Sequence, residues 1–278
     1  MKIGQQNTLT ISRTSDYGLY LKDDENLEVL LPSRYVTQDM KIGDKISVFL
    51  YRDSEDRPVA TTTTPLAMVG DFAQLKITGV NAVGAFADWG LPKELLVPFS
   101  EQKLRLKPDR WYILYVYLDD NTGRIVASAK LEKFLNNVVP HYKVGDVTNI
   151  LVWQRTDLGF KVIVDNLHSG MLYFNELPHE LNIGERYQAR VKRVRDDGKI
   201  DLTLGGHVSD RTKDISEKIM SMLGNSGGVL HVSDHSSPDV INRMLGCSKK
   251  DFKKAIGALF KQKLITIETD CIRSTERQ

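Results

Sequence analysis

Apolar and polar side chains alternate with a period of two, in short bursts, along roughly the first three quarters of the chain. Phe160, Val162 and Val164 are interleaved with Lys161, Ile163 and Asp165; Tyr187, Ala189 and Val191 with Gln188, Arg190 and Lys192; Ile200, Leu202 and Leu204 follow. Such alternation buries one face of a strand and leaves the other wet, the mark of antiparallel sheet. After a polar stretch at 205–210 the period lengthens to about 3.6. Ile215, Ile219, Met222 and Leu223 mark a first helix ended by Gly224, and a short apolar run at 229–232 follows. Ser237 and Pro238 form an N-cap and first-turn pair opening a helix with Val240, Ile241, Met244 and Leu245 on one face, stopped by Gly246. Ser248 caps the next, whose Phe252, Ile256, Leu259 and Phe260 are expected to turn inward, and strand-like runs at 264–268 and 271–273 close the segment.

The strand-rich part repeats. Gly4, Gly70 and Gly145 each stand 14 residues before Gly18, Gly84 and Gly159, and 14 further lie Pro32, Pro98 and Tyr173. Gly43, Pro108 and Gly184 follow after 11, 10 and 11 residues, then Val59, Ile125 and Ile200 after 16, 17 and 16. Four intervals agreeing with at most a one-residue slip mark an internal repeat. Within each unit the second glycine begins a strand where a missing side chain permits a sharp bend. Gly43 with Asp44, Pro108 with Asp109 and Gly184 with Glu185 read as the turn before the fourth strand, and Thr122 with Gly123 or Asp197 with Gly198 as a hairpin before the fifth. Five short strands curled by glycine suit a small closed barrel of the OB type. The expected fold is therefore multi-domain and mainly β: barrels at 1–65, 66–130 and 143–206, a linker at 131–142 that acts as hinge or spacer, and an α+β winged helix-turn-helix at 210–274.

Composition narrows the class. With 278 residues, 41% hydrophobic and 27% charged, the chain is long enough for several small domains and shows no disorder signature. The first residues lack a basic stretch followed by an apolar one, no apolar run approaches the roughly 20 residues of a membrane span, and two cysteines make no disulfide framework; a cytoplasmic location is expected. The net charge of +2 is graded, −2 over 1–65, +1 over 66–142, 0 over 143–209 and +3 over 210–278, a pointer to a polyanion met at the C-terminal end or else ordinary surface variation.

Residues 145–147, 158–162, 170–177 and 196–203 together (Gly145-Asp146-Val147, Leu158-Gly159-Phe160-Lys161-Val162, Gly170 to Leu177, Asp196-Asp197-Gly198-Lys199-Ile200-Asp201-Leu202-Thr203) resemble the S1 motif, an RNA-binding OB module. The third repeat matches best; the other two follow through their shared spacing. The resemblance implies an aromatic-Gly-x-aromatic pattern on strand two and a histidine on strand three. Repeat one keeps Tyr17 and Tyr20 with Pro32 at the histidine position, repeat two keeps Phe86 with Pro98, and repeat three has Lys161 at the second aromatic position and Tyr173 for the histidine. An OB barrel holds single strands by stacking bases on outward rings while cations track the phosphates. Leu19 and Leu21 face the core, so Tyr17 and Tyr20 lie on or near the outer face, where they either stack bases or cover an inter-domain seam. In repeat three Arg190, Lys192, Arg193 and Arg195 form a stripe interrupted by core valines, with Arg155 and Lys161 on neighbouring strands; it is either a phosphate track beside Tyr173 or a solvated face.

Helix, Leu-Gly-Cys-Ser turn, helix and β-hairpin resemble the winged helix-turn-helix. Its second helix carries Lys249, Lys250, Lys253 and Lys254, of which the last three share a face. Lysines suit phosphates better than base edges, so the helix reads as a nucleic-acid contact or as a protein-docking surface. Three S1-like barrels and a terminal winged helix in this order resemble the conserved virulence factor B family of bacterial RNA-binding proteins, which implies a cytoplasmic RNA binder affecting gene expression.

Phosphate-loop, dinucleotide-binding and nucleophile-elbow motifs are absent. His231, His235, Asp234 and Cys247 lack the recurring pairs of a zinc site, and Asp23, Asp24 and Glu25 read as a hairpin tip. No enzymatic activity, cofactor or metal is expected. The expected partner is single-stranded RNA, with DNA or proteins of the ribosome or polymerase as alternatives, the latter making the chain an adaptor.

Overall fold

A computed structural model of the chain describes residues 1–177, 180–204 and 208–275, without the side chains of 208–214. Residues 205–207 of the expected polar connection lie outside the described residues. Fifteen strands form three closed barrels. The first contains β1 (Gln6–Ser15), β2 (Gly18–Lys22), β3 (Glu28–Pro32), β4 (Lys45–Arg52) and β5 (Pro58–Thr61). The second contains β6 (Phe72–Val80), β7 (Gly84–Asp88), β8 (Leu95–Pro98), β9 (Trp111–Leu118) and β10 (Ile125–Ser128). The third contains β11 (Val147–Arg155), β12 (Gly159–Val164), β13 (His168–Tyr173), β14 (Arg186–Val194) and β15 (Ile200–Thr203). In each, the fifth strand lies between the third and the fourth, parallel to the third, and the fourth returns to pair with the first.

The repeated glycine at the start of the second strand has the same physical cause three times. A Cβ built on Gly18, Gly84 or Gly159 would lie 2.1, 2.4 or 2.0 Å from the carbonyl oxygen of Leu31, Val97 or Leu172 on the third strand. Only a residue without a side chain lets the two backbones close that far. The one-residue slip before the fourth strand also resolves. Gly43, Asp109 and Gly184 donate their N–H to the carbonyls of Ile11, Ile77 and Val152, so Asp109 and not Pro108 is the equivalent turn residue. Counted through Asp109 the last two intervals become 11 and 16 in all three units. Asp109 adopts a φ of 60°, the left-handed region where Gly43 and Gly184 also sit, which aspartate tolerates better than most residues.

Alternation predicts the core facing correctly but not the outside. Ile163 occupies a wet-face position by period, yet it is 1% exposed. It packs with Leu151 against Phe72 and Ile113 of the second barrel and Leu131 and Leu135 of the linker, so a second apolar surface lies between the barrels. Arg186 Nη2 donates to the Phe72 carbonyl at 2.5 Å and Asn166 Nδ2 to Asp71 at 3.0 Å across the same seam. Barrels one and two join likewise: Phe49, Tyr51 and Val59 enter the core cluster of the second barrel, with Phe49 edge-on to Trp89 at 5.8 Å.

The C-terminal part comprises α1 (Val208–Asn225), β16 (Val229–Leu230), α2 (Pro238–Leu245), α3 (Lys249–Lys261), β17 (Ile265–Ile267) and β18 (Ile272–Ser274), with β18 between the other two strands. The Ser237 side chain accepts from the Val240 N–H, and Ser248 accepts from Asp251 N–H while donating to its carboxylate at 2.7 Å. Ile219, Leu223, Ile241, Leu245, Phe252, Ile256 and Leu259 make the core. Phe260, expected inside, is 54% exposed. At about 100° per residue it lies roughly 80° round the helix from Phe252, whereas Leu259 lies within about 20° of it.

Two outcomes follow from these contacts. Gly159→Ala is expected to cost about 2–3 kcal/mol in chemical denaturation, because the new methyl meets backbone that cannot move aside, whereas Gly224→Ala, with open space around it, is expected to be tolerated. Ile163→Asp buries a charge in the seam and is expected to split a shared calorimetric transition of barrels two and three into separate ones; a single unshifted transition would show that the seam does not couple them.

Candidate nucleic-acid interface

Strand register draws one row of residues across the outside of the third barrel. Gln154 pairs with Lys161, Lys161 with Met171, Met171 with Asp201 and Asp201 with Arg193. The neighbours Phe160, Leu172, Ile200 and Val191 are buried, so the row points outward. Tyr173, two residues from Met171 and half-buried, donates its hydroxyl to Asp201 at 3.2 Å. β14 bulges between Val191 and Arg193, which leaves both Lys192 and Arg193 exposed. Lys161, Tyr173, Arg193 and Arg195 are thus brought together from three strands and the turn after β14.

Most of the expected cations are already engaged. Arg195 donates from Nε and Nη2 to Asp197 at 3.2 and 2.8 Å and stands 3.7 Å from Asp201. Lys199 reaches the same Asp197 carboxylate at 3.0 Å, and the hydrogen bonds from Arg195 and then Lys199 hold that carboxyl well below the usual range. Lys192 pairs with Glu176, Arg155 with Glu180 at 3.2 Å, and Arg190 donates to the Gly145 carbonyl at 3.2 Å. Lys161 Nζ sits 5.7 Å from the centre of the Trp153 ring. Of the six basic residues expected in this barrel, Arg193 alone has no partner among the described residues. The stripe exists in space, but four of its six cations are held by a carboxylate or a backbone carbonyl.

The other expected rings are spread over the other barrels. Tyr17 caps the turn between β1 and β2 and is 75% exposed. Tyr20 points outward but carries the Arg13 guanidinium 3.6 Å above its ring, and Arg13 is in turn paired with Glu28 at 2.8 Å. Phe86 is half-buried in a groove against the first barrel. On α3, Lys250 and Lys254 are exposed, one turn apart and without partners among the described residues, whereas Lys249 donates to the Ser236 carbonyl at 2.8 Å and Lys253 stands 3.8 Å from Asp234.

Sequence reasoning missed Trp153. Each barrel bulges on its first strand, at Ser12, Thr78 and Trp153. The Ser12 and Thr78 hydroxyls donate at 3.0 Å to the carbonyls of Tyr20 and Phe86. Tryptophan at the third site cannot, and its indole packs into the seam with Nε1 buried and unbonded. The spacing from the strand-two glycine marks this position in all three repeats and is the signal that finds it. Among the described residues there is no group of three or more His, Cys, Asp and Glu side chains placed to hold a metal, and no helix long and apolar enough to cross a membrane.

An S1 domain model matches residues 3–63 and a CvfB-like winged helix domain model matches residues 217–273. The S1 match falls on the first barrel, the one that keeps both strand-two aromatics. The uncharacterized protein YitL of Bacillus subtilis is 29% identical over 270 residues, covering 94% of this chain and 90% of that protein. Conserved virulence factor B of Staphylococcus epidermidis is 27% identical over 95% of this chain and 91% of the relative. The chain is thus similar over nearly its whole length to the conserved virulence factor B proteins. A solved multidomain protein with nucleic acid binding domains from Streptococcus pneumoniae is 23% identical and covers 98% of each chain at a TM-score of 0.41. An S1 domain and a winged helix at the two ends of one chain point to nucleic-acid binding.

The only histidine on a third strand, His168, is not the outward one that the S1 resemblance implies. It is 3% exposed at the start of β13, its Nδ1 lacks a partner among the described residues, and Tyr142 packs edge-on at 5.6 Å. Burial pushes its imidazole below the ordinary 6.5, against the pull of Asp165. The folded protein therefore resists a proton that the unfolded chain accepts, so the stability His168 supports is intact at neutral pH and is lost as pH falls through and below 6.5. Melting temperatures between about pH 8 and about pH 5 are expected to fall less steeply for His168→Gln than for the wild type; identical slopes would show that His168 carries no linkage.

Proposed function

We propose that this chain is a non-enzymatic, cytoplasmic protein that binds single-stranded RNA through its third barrel and its winged helix, and so regulates gene expression after transcription. The observation that carries this reading is that, of the cations expected on barrel three and α3, Arg193 on the outward row and Lys250 and Lys254 on the exposed helix face have no partner among the described residues. Arg193 stands in line with Tyr173 and Lys161, which supplies the ring and charge that a single strand uses on an OB surface. Relatives named conserved virulence factor B align with 95% of the chain, which supports a role in gene expression shared with them.

The reading demands salt-sensitive affinity, since each phosphate contact releases counterions. In titrations of labelled single-stranded RNA at two salt concentrations, the wild type is expected to bind more weakly at the higher salt. Arg193→Gln and Lys254→Gln are each expected to reduce the logarithmic salt slope by about 1. Absence of binding at low salt would remove the function altogether. One observation favours a second reading, a protein-interaction adaptor: Arg155, Lys192 and Arg195 are each satisfied by a carboxylate of the same barrel. RNA affinity unchanged by Arg193→Glu combined with Lys250→Glu would support that reading.

A further inference from the structure

Tyr142 and His168 close one end of the third barrel and have no counterpart in the other two repeats. Tyr142 stands three residues before Gly145, where the others have Met1 and Ala67; His168 stands nine after Gly159, where they have Leu27 and Lys93. His168 alternates with Gly170 and Leu172, all three buried, so its ring points into the barrel. Tyr142, half-buried at the end of the linker, packs edge-on against that ring at 5.6 Å. Its hydroxyl donates to Asp165 Oδ2 at 3.0 Å, while Asp165 Oδ1 accepts the Asn149 N–H at 2.9 Å. Asn136 clasps the same end of the barrel twice: its N–H donates to the Leu167 carbonyl at 2.9 Å, and its side-chain oxygen accepts the Ser169 N–H at 2.9 Å. Beyond these contacts the segment is tethered on one side by Leu135 in the seam and on the other by donation of the Gly145 N–H to the Val191 carbonyl at 2.7 Å.

We infer that residues 136–142 form a latch across the end of the third barrel that mild acid opens, because a protonated His168 reaches water or a counterion only by displacing Tyr142. A charged imidazole carries an N–H on both nitrogens, and His168 Nδ1 is buried with no acceptor among the described residues. Three ionisable groups face the ring. Asp165 favours a proton there, but both its carboxylate oxygens are occupied, and turning to the imidazolium would cost it the Tyr142 hydroxyl. His141, on the linker itself, opposes the charge. Burial and then Asp165 push the Tyr142 hydroxyl above its ordinary range, so it remains a neutral donor. Hydrating the ring and pairing it with Asp165 therefore both break the same Tyr142 contact. Above 6.5 the ring is neutral in either form and the latch stays shut; below it the open form, with its imidazole in water, gains up to about ten-fold over the closed one per pH unit. Opening turns the linker from a fixed spacer into a loop between two tethers, and leaves the second and third barrels joined by their seam without the Asn136 clasp. None of these contacts involves the outward row of barrel three, so the latch works whatever that row binds.

The test is hydrogen–deuterium exchange of the full chain at about pH 7.5 and about pH 5.5, with rates corrected for the intrinsic pH dependence of amide exchange. Peptides covering 136–143 and 167–169 are expected to lose protection by up to about ten-fold at the lower pH, while peptides of the first barrel over 18–32 keep theirs. His168→Gln, neutral at both pH values, is expected to abolish the difference, and Tyr142→Phe, which loses only the hydrogen bond to Asp165, to raise exchange of 136–143 at both. Unchanged protection of 136–143 in the wild type, or a pH-dependent loss that persists in His168→Gln, would overturn the latch; so would a uniform loss over all three barrels. Proton resonances of the wild-type imidazole supply a check that needs no folded variant: His168 is expected to titrate in step with a shift at Tyr142, and a titration that leaves Tyr142 unmoved would overturn the latch as well.

Discussion

Each barrel closes on the same contact, the approach of the second strand's first residue to a carbonyl of the third strand at a distance that excludes a side chain. Gly18, Gly84 and Gly159 occupy that point, and a methyl group on any of them would overlap Leu31, Val97 or Leu172. Because strand two is pinned there, the residue two positions on is placed on the outside in every barrel, as Tyr20, Phe86 and Lys161. One backbone constraint thus fixes both the curvature that closes the core and the position at which each barrel offers a chemically different side chain.

The outer surfaces of the barrels are not equivalent, because two seams consume parts of them. Leu151, Ile163 and Trp153 are spent on the second barrel, and Tyr51 and Val59 join its core from the first. What remains outward after this packing decides what each barrel can touch. In barrel three it is the row through Lys161, Met171, Asp201 and Arg193, in barrel two a groove around Phe86, and in barrel one a tyrosine at a hairpin tip together with a second tyrosine covered by Arg13. A tandem repeat has here become three distinct surfaces, with the seams supplying rigidity that a flexible string of modules would lack.

Charge follows the same logic of local satisfaction. Glu176, Glu180, Asp197 and Asp201 surround the basic strand of barrel three and engage most of its cations. These are exposed pairs whose individual contributions to stability are small and which a polyanion can exchange for phosphate. They leave Arg193, and on α3 Lys250 and Lys254, without a partner among the described residues. The distribution favours contacts spread over the length of the chain rather than a single deep site.

The sequence by itself determined the repeat, the barrel class, the inward face of each strand and the winged helix with its serine caps, because these depend on period, spacing and local backbone preference. It also located the residues that stand on the outer strands of barrel three. Only the tertiary structure decided that Ile163 is buried, that Asp109 replaces Pro108 as the turn residue, that Phe260 is exposed and that Arg193 has no partner among the described residues while Arg195 has one. Each of those outcomes depends on a neighbour distant along the chain or on the geometry of a turn, and alternation along one strand carries no information about which barrel, linker or carboxylate will cover its outer side.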